Sequence, residues 1–536
     1  MNFSTLLLLG SIVVPAIVSI LLFCGFPRSE NLVSRLGYIA FGFPCVAGIL
    51  LFLQFDSSVS GYCFEFLIER MGLQELGITF HLGLNGVSSP LFAMAGIVGL
   101  GAGLAAINSG AERMRLYLAL LTLMQSGLMG LFASVDLFFY YLFHEFALIP
   151  TFIMIGLWGG RDRRSISLEI TIYLTLGALV SLCGLIALNS MVNSPKFDFP
   201  SLSAALADTS LSSLSASTIF GLLLFGFGIL VALFPFHTWA PRGYDAAPTP
   251  VSMLHAGVLK KFGLYGLVQI AAPLLPEAAL GWSEIILWLA LGNVILVGLI
   301  TVAQDNLKSM IGYGSVMHMG YCFLGIGACS ALGAGSAVML MCAHGLSVAL
   351  MFLLAQFIYQ RTNTYEMNQM GGLASRTPIL ACFVVAATLA TIGLPGFGNF
   401  WGEFGVFLSL GEMTQNRFFL GFAALGIIIS AIFGLRAIAR MLFGSPHQQL
   451  KIHFDKNSPV DLSRFELLSS GVILAALTLI GLFPSSISER IDGEIGSRYS
   501  VFDDVQGNSG RPSCCPIANE TGISIDADKE ANLTNP

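Results

Sequence analysis

Five ionisable residues stand where an apolar chain gains nothing from them. Glu145 lies in DLFFYYLFHEFALIPTF, Lys261 in HAGVLKKFGLYG, His318 in SVMHMGY, His344 in MCAHGLS and Glu403 in FGNFWGEFGVF. A lysine or carboxylate at the centre of a spanning helix costs about 2.5–3.5 kcal/mol on insertion scales, so charges retained there mark ion or proton paths by default. Histidine suits such a path, because its unperturbed pKa is near 6.5 and its two ring nitrogens can pass a proton through. Together the five form an acidic–basic series fit for proton transfer. The plainer alternatives are a carboxyl that pairs helices, and histidines that hydrogen-bond between helices.

Four neighbours are secondary candidates. His144 adjoins Glu145, and Lys260 adjoins Lys261. Adjacent helical residues point about 100° apart, so neither pair can face one line. The face with Gly257, Lys261 and Tyr265 reads as more interior than the face with Ala256, Lys260 and Leu264. That favours Lys261 in the path, with Lys260 as support or second carrier. His144 reads as a packed imidazole, and His255, near its helix start, as packing or access. His237 sits beside Pro235 in LFPFHTWAPRGYD.

The elements that position these residues follow from composition. The chain has 536 residues, 55% hydrophobic and only 10% charged, with a mean hydropathy of +0.79. A soluble domain carries about 25% charged residues. The chain therefore reads as an all-α polytopic membrane protein, with runs of about 20 apolar residues crossing the bilayer. Fourteen spans are expected, near 4–23, 36–55, 86–107, 114–133, 136–157, 166–190, 215–236, 250–272, 279–302, 307–329, 334–358, 378–409, 417–441 and 467–484. Odd loops then hold sixteen Lys and Arg residues, including Arg113, Arg163, Arg242, Arg376 and Lys451. Even loops hold three: Arg70, Lys196 and Arg417. The positive-inside rule puts odd loops in the cytoplasm and both termini outside. The first apolar run lacks a cleavage site and reads as a retained helix.

Two spans are interrupted, the seventh at Pro235 and the twelfth at Pro395 within GLPGFGN. The breaks lie five helices apart, as expected of two inverted five-helix repeats over spans 4–8 and 9–13. Broken helices in corresponding positions point to a midplane ion site, although Pro and Gly are also simply common in membrane helices. The organisation expected is helices 1–3 in 1–107, a first repeat in 108–272, a second in 273–441, a last helix in 442–485 and a disordered outer tail in 486–536. No Gly-rich phosphate loop, CxxC cluster, metal-type spacing or nucleic-acid patch stands out. A role for Cys514 and Cys515 in a disulfide or metal site is not favoured. No metal and no cofactor in this chain is expected, so energy for ion movement must come from a partner or another gradient.

GLWGG, PFHTWAPRGYDAAPTPVSMLHAGVLKKFGLYG, DNLKSMIGYGSVMHMGYCFLGI, HGLS, MGGLASRTP and GLPGFGNFWGEF, in this order over spans 3 to 13, resemble the antiporter-like subunit M of respiratory complex I. The resemblance implies a proton-translocating subunit of the membrane arm of NADH–quinone oxidoreductase. It would sit in a bacterial inner membrane beside L- and N-type relatives, with quinone, FMN and iron–sulfur clusters in partner subunits. It assigns the path to Glu145, Lys261, His318, His344 and Glu403, where the L and N types place a lysine at the last position. One departure stands out. The family's span-7 lysine, seven residues before the histidine of PxHxW, is Leu230 here. A structural subunit that pumps poorly and an Mrp-type cation/proton antiporter chain are the alternatives.

Overall fold

Lipid gives backbone N–H and C=O groups no partner, so a chain this apolar must satisfy them within helices. A computed structural model describes residues 2–507 apart from 58–60, 70–74, 76, 208, 210, 414–416, 446–449 and 451–459. Among the described residues, eleven passes are long and apolar enough to cross a membrane. They are Phe3–Phe23, Glu30–Gln54, Ser88–Ile107, Met114–Ala133, Leu137–Trp158, Arg163–Val192, Ser213–Val231, Pro276–Val302, Ala331–Thr362, Phe418–Leu442 and Arg464–Leu482. Three further passes complete the series expected from the sequence. Pass 8 runs over 249–274 and contains two π-helical turns, His255–Leu259 and Leu267–Ala271. Pass 10 is Leu307–Gly327. Pass 12 is split into Pro378–Ile392 and Gly398–Glu412.

Pass 11 is the axis of the bundle, with its apolar window wholly buried, whereas passes 1, 6, 13 and 14 keep much of their surface for lipid or partners. Caps fix the ends. Asp136 starts pass 5 by accepting hydrogen bonds from Phe138 N at 2.8 Å and Thr79 N at 2.9 Å, which ties the second loop to this helix. Ser463 and Glu466 form a capping box at pass 14, and Arg361 reaches from pass 11 to grip Glu466 with two 3.0 Å bonds.

Two features depart from the expectation. The second loop contains a β-hairpin, β1 Cys63–Ile68 antiparallel to β2 Phe80–Leu84. The second departure is a correction. Residues 485–507 are not a disordered tail but a helix, Ser485–Gly507. Ile487, Ile491, Ile495, Tyr499 and Phe502 are buried and recur at the four- and three-residue spacing of one helical face. Their burial against passes 8, 9 and 11 outweighs the polar residues between them. Arg70, Lys451, Lys456, Cys514 and Cys515 lie outside the described residues, as does the tail beyond Gly507.

Candidate functional site

The break in pass 7 is where the first functional groups gather. Its helix ends at Val231, Ala232 adopts the left-handed conformation at φ +69°, and a short helix, Trp239–Ala246, follows. The freed backbone groups are taken up by one side chain. Asn293, fully buried in a π-helical turn of pass 9, accepts from Phe234 N at 2.6 Å and donates to Ala232 O at 3.1 Å and Val316 O at 3.0 Å. Trp239 Nε1 donates to Ile229 O at 3.0 Å. Sequence reasoning missed Asn293, although a lone asparagine in LALGNVILVG is itself a signal. Around the break, His237 stacks on Phe234 at 5.6 Å. His255 packs between Trp239 at 5.5 Å and Tyr244 at 5.4 Å.

Lys260 and Lys261 follow the first π turn, and both are buried. Lys261 Nζ donates to Ala256 O at 2.6 Å, a carbonyl of that turn. Lys260 Nζ lies 5.7 Å from the Tyr244 ring and finds no hydrogen-bond partner among the described residues. The face carrying Gly257 and Lys261 meets pass 11. A Cβ on Gly257 would lie 3.0 Å from Gly345 O, and one on Gly345 2.7 Å from Gly257 O. The two glycines thus let the helices touch beside His344, which lies within electrostatic reach of Lys261.

From His344 the line continues without a gap. Its ring is 5.6 Å from that of His318, and its Nε2 is 3.1 Å from Ser315 Oγ. His318 Nδ1 is 3.1 Å from Glu403 Oε1, and its Nε2 is 3.5 Å from Ser430 Oγ. His318 thus has a partner on each ring nitrogen and can accept on one side and release on the other, whereas His344 Nδ1 has no hydrogen-bond partner among the described residues. Glu403 lies against the break of pass 12. A Cβ on Gly393, at φ +86°, would meet its Oε2 at 2.4 Å. Asn399, just after the break, donates to Ser347 Oγ at 3.2 Å. The structure therefore brings Lys261, His344, His318 and Glu403 into one buried row between the two broken helices.

Glu145 stands apart from that row. Its side chain is 26% exposed on the outer face of pass 5, and His144 Nδ1 lies 3.5 Å away. His144 turns inward and stacks on Phe262 at 4.0 Å. Leu230 is buried in the apolar core, so the first repeat presents no pass-7 charge to Glu145.

Residues 134–431 match the family described as NADH:quinone oxidoreductase/Mrp antiporter, TM. NADH-quinone oxidoreductase subunit M of Rickettsia felis is 32% identical over 443 residues, covering 82% of this chain and 87% of that protein. NAD(P)H-quinone oxidoreductase chain 4 of a Synechococcus species is 32% identical, covering 86% and 85%. Among solved structures, a chain of respiratory complex I from Thermus thermophilus superposes with a TM-score of 0.83. It is 27% identical, with 92% of this chain and 99% of that chain covered. A chain of the Mrp complex from Dietzia shares the fold at a TM-score of 0.78 with 18% identity.

Proposed function

The chain belongs to the antiporter-like membrane-subunit family shared by NADH:quinone oxidoreductase and Mrp antiporters, and from that premise we propose that it is the M-type proton-translocating subunit of an NADH–quinone oxidoreductase. The relatives that cover most of its length at over 30% identity are NADH–quinone oxidoreductase subunits. The likeness to the Mrp chain, at 18% identity, concerns the fold. Redox chemistry, with its flavin, iron–sulfur clusters and quinone, belongs to partner subunits, and this chain moves protons in response. Its place is among the other membrane-arm subunits. The excess of Lys and Arg in the odd loops supports both termini lying on the outer side of the membrane, which by this reading is a bacterial inner membrane.

The observation that carries the mechanism is the buried row Lys261, His344, His318, Glu403. A proton released by the Lys261 ammonium is taken by His344, passed to His318 and delivered to the Glu403 carboxylate. Each transfer exchanges one N–H or O–H bond for another. Asn293 ties the break of pass 7 to passes 9 and 10, and Asn399 ties the second half of pass 12 to pass 11. Glu145 and His144 form a separate pair at the subunit surface, placed to respond to charge in a neighbouring subunit.

The test is proton uptake measured against quinone reduction in sealed vesicles carrying the assembled complex. Lys261→Ala and Glu403→Gln are each expected to lower the proton yield with the complex assembled. Parent yield in both variants refutes the row as a path. A second reading, a subunit that holds the arm together but moves few protons, draws on Leu230. It is favoured if the parent chain already gives a yield that neither substitution lowers.

A further inference from the structure

Below Lys261, the same face of pass 8 carries Tyr265 and Gln269, both buried, at the four-residue spacing that keeps side chains in one column. This column runs away from the pass-7 break, towards the end of the bundle where the tail helix lies. Tyr265 faces Ser88 and lies within electrostatic reach of Tyr62, Arg498 and Glu494. Gln269 Nε2 donates to Asn85 Oδ1 at 3.2 Å, and Asn85 Nδ2 donates to Glu494 Oε1 at 3.2 Å. Arg498 Nε donates to that same Glu494 oxygen at 2.6 Å, one helical turn along the tail. Tyr499 hydroxyl donates to Val268 O at 3.2 Å in the second π turn. The tail backbone is pressed onto the turn before pass 3, where a Cβ on Gly86 would fall 2.0 Å from Arg490 O.

A lid that served only to cover apolar surface would bring apolar residues here. This one places a carboxylate, 8% exposed, at the foot of a polar column. The hydroxyls of Tyr62 and Tyr265 and Gln269 Oε1 are also buried there without hydrogen-bond partners among the described residues. Buried polar groups without partners are costly, so their clustering along one line marks it as polar by construction. Glu494 and Arg498 also line a cavity of about 580 Å3 together with Tyr62, Ser203 and Pro273. The column thus begins at Lys261 and ends at a cavity on the tail side.

We propose that this column is a second proton route, an exit from the first repeat, with Glu494 of the tail helix as its terminal acceptor and Arg498 as the counter-charge that gates it. It rests on the reading of the chain as a proton carrier. The proton leaves the Lys261 ammonium and passes through the Tyr265 and Ser88 hydroxyls, each accepting one proton as it gives up another. It arrives on the Glu494 carboxylate and is released into the cavity as Arg498 reclaims the carboxylate. Gln269 and Asn85 are positioning residues that hold the acceptor in line. The tail, by this account, is part of the path and not merely its cover.

The experiment uses the assembled complex in sealed vesicles, with proton yield expressed per quinone reduced. Glu494→Gln keeps the shape and the hydrogen bond from Asn85 but removes the acceptor. It is expected to lower the yield, by less than Lys261→Ala does, because Lys261 also feeds the row to Glu403. Parent yield in Glu494→Gln, with Lys261→Ala lowered, overturns the exit and leaves the proposed function standing. Parent yield in both overturns both. If Glu494→Gln weakens assembly, Tyr265→Phe decides, because it deletes one hydroxyl inside the bundle. A yield lowered below parent supports the exit, and parent yield overturns it.

Discussion

Asn293→Leu tests whether one side chain holds the pass-7 break in shape. The substitution leaves volume nearly unchanged and removes three hydrogen bonds. Val316 O lies within a continuous helix and keeps its helical partner, so its loss is slight. Phe234 N and Ala232 O are different, because the break has already taken their helical partners. A buried backbone group left without a partner costs about 1–3 kcal/mol, so the two together cost about 2–6 kcal/mol. At about 1.4 kcal/mol per factor of ten, opening of the break becomes roughly 30-fold to 10,000-fold easier. Hydrogen–deuterium exchange over residues 228–240 reads this directly, through the amide of Phe234. Asn293→Asp keeps the acceptor for Phe234 N and turns an oxygen towards Ala232 O, so its effect should fall between parent and Asn293→Leu. Phe234 exchange at the parent rate in Asn293→Leu would refute the argument, since some other group would then be satisfying that amide.

Gly393→Ala puts a Cβ 2.4 Å from Glu403 Oε2 at a left-handed φ of +86°, a conformation that costs an L-residue about 1–2 kcal/mol. It should push Glu403 off His318 and cut the proton yield at least as far as Glu403→Gln does. Gly396→Ala, at φ +104° with open space around it, carries the backbone strain alone and should stay close to parent; equal effects would deny Glu403 a special place. A stop codon after Pro484 removes the buried Ile487, Ile491, Ile495, Tyr499 and Phe502, at about 1.5–3 kcal/mol each, or about 7–15 kcal/mol as an upper bound. The subunit should then be lost from the membrane arm on native electrophoresis, whereas a stop after Gly507 keeps every one of these contacts and should retain it; equal retention of the two would show that the tail helix contributes no stability.

The helices were legible because the bilayer imposes a single length scale, and both breaks were legible because Pro and Gly are explicit. Gly257 was legible as the small residue on the Lys261 face, and it meets Gly345 of pass 11, but Lys260 is buried as deeply as Lys261. The tail was misread because its average composition is polar. A stripe of one residue in four, from Ile487 to Tyr499, vanishes in any average yet suffices to bury a helix. The β-hairpin was missed because the second loop was read only for its charge. Asn293 was passed over because a neutral side chain carries no charge signal, and its role appears only once the break of pass 7 is seen across from it. The outward turn of Glu145 could not be read either, since the helical period fixes the angle between His144 and Glu145 but not which of the two faces inward.

Leu230 then takes on a particular meaning. A lysine on pass 7 would need a counter-charge within the first repeat, and the carboxylate available on pass 5 points out of the bundle. This chain instead carries the two buried lysines of its first repeat side by side on pass 8, one near Tyr244 and one on the face that meets pass 11. Two ammonium groups on adjacent residues of one buried helix repel each other. Loading Lys260 from the side of the pass-7 break would drive the proton off Lys261 towards His344 or down the Tyr265 column. On the reading proposed above, the chain replaces attraction between a carboxylate and a lysine on different helices with repulsion between two lysines on one. That substitution needs no charge at position 230, where Leu230 is buried in the apolar core.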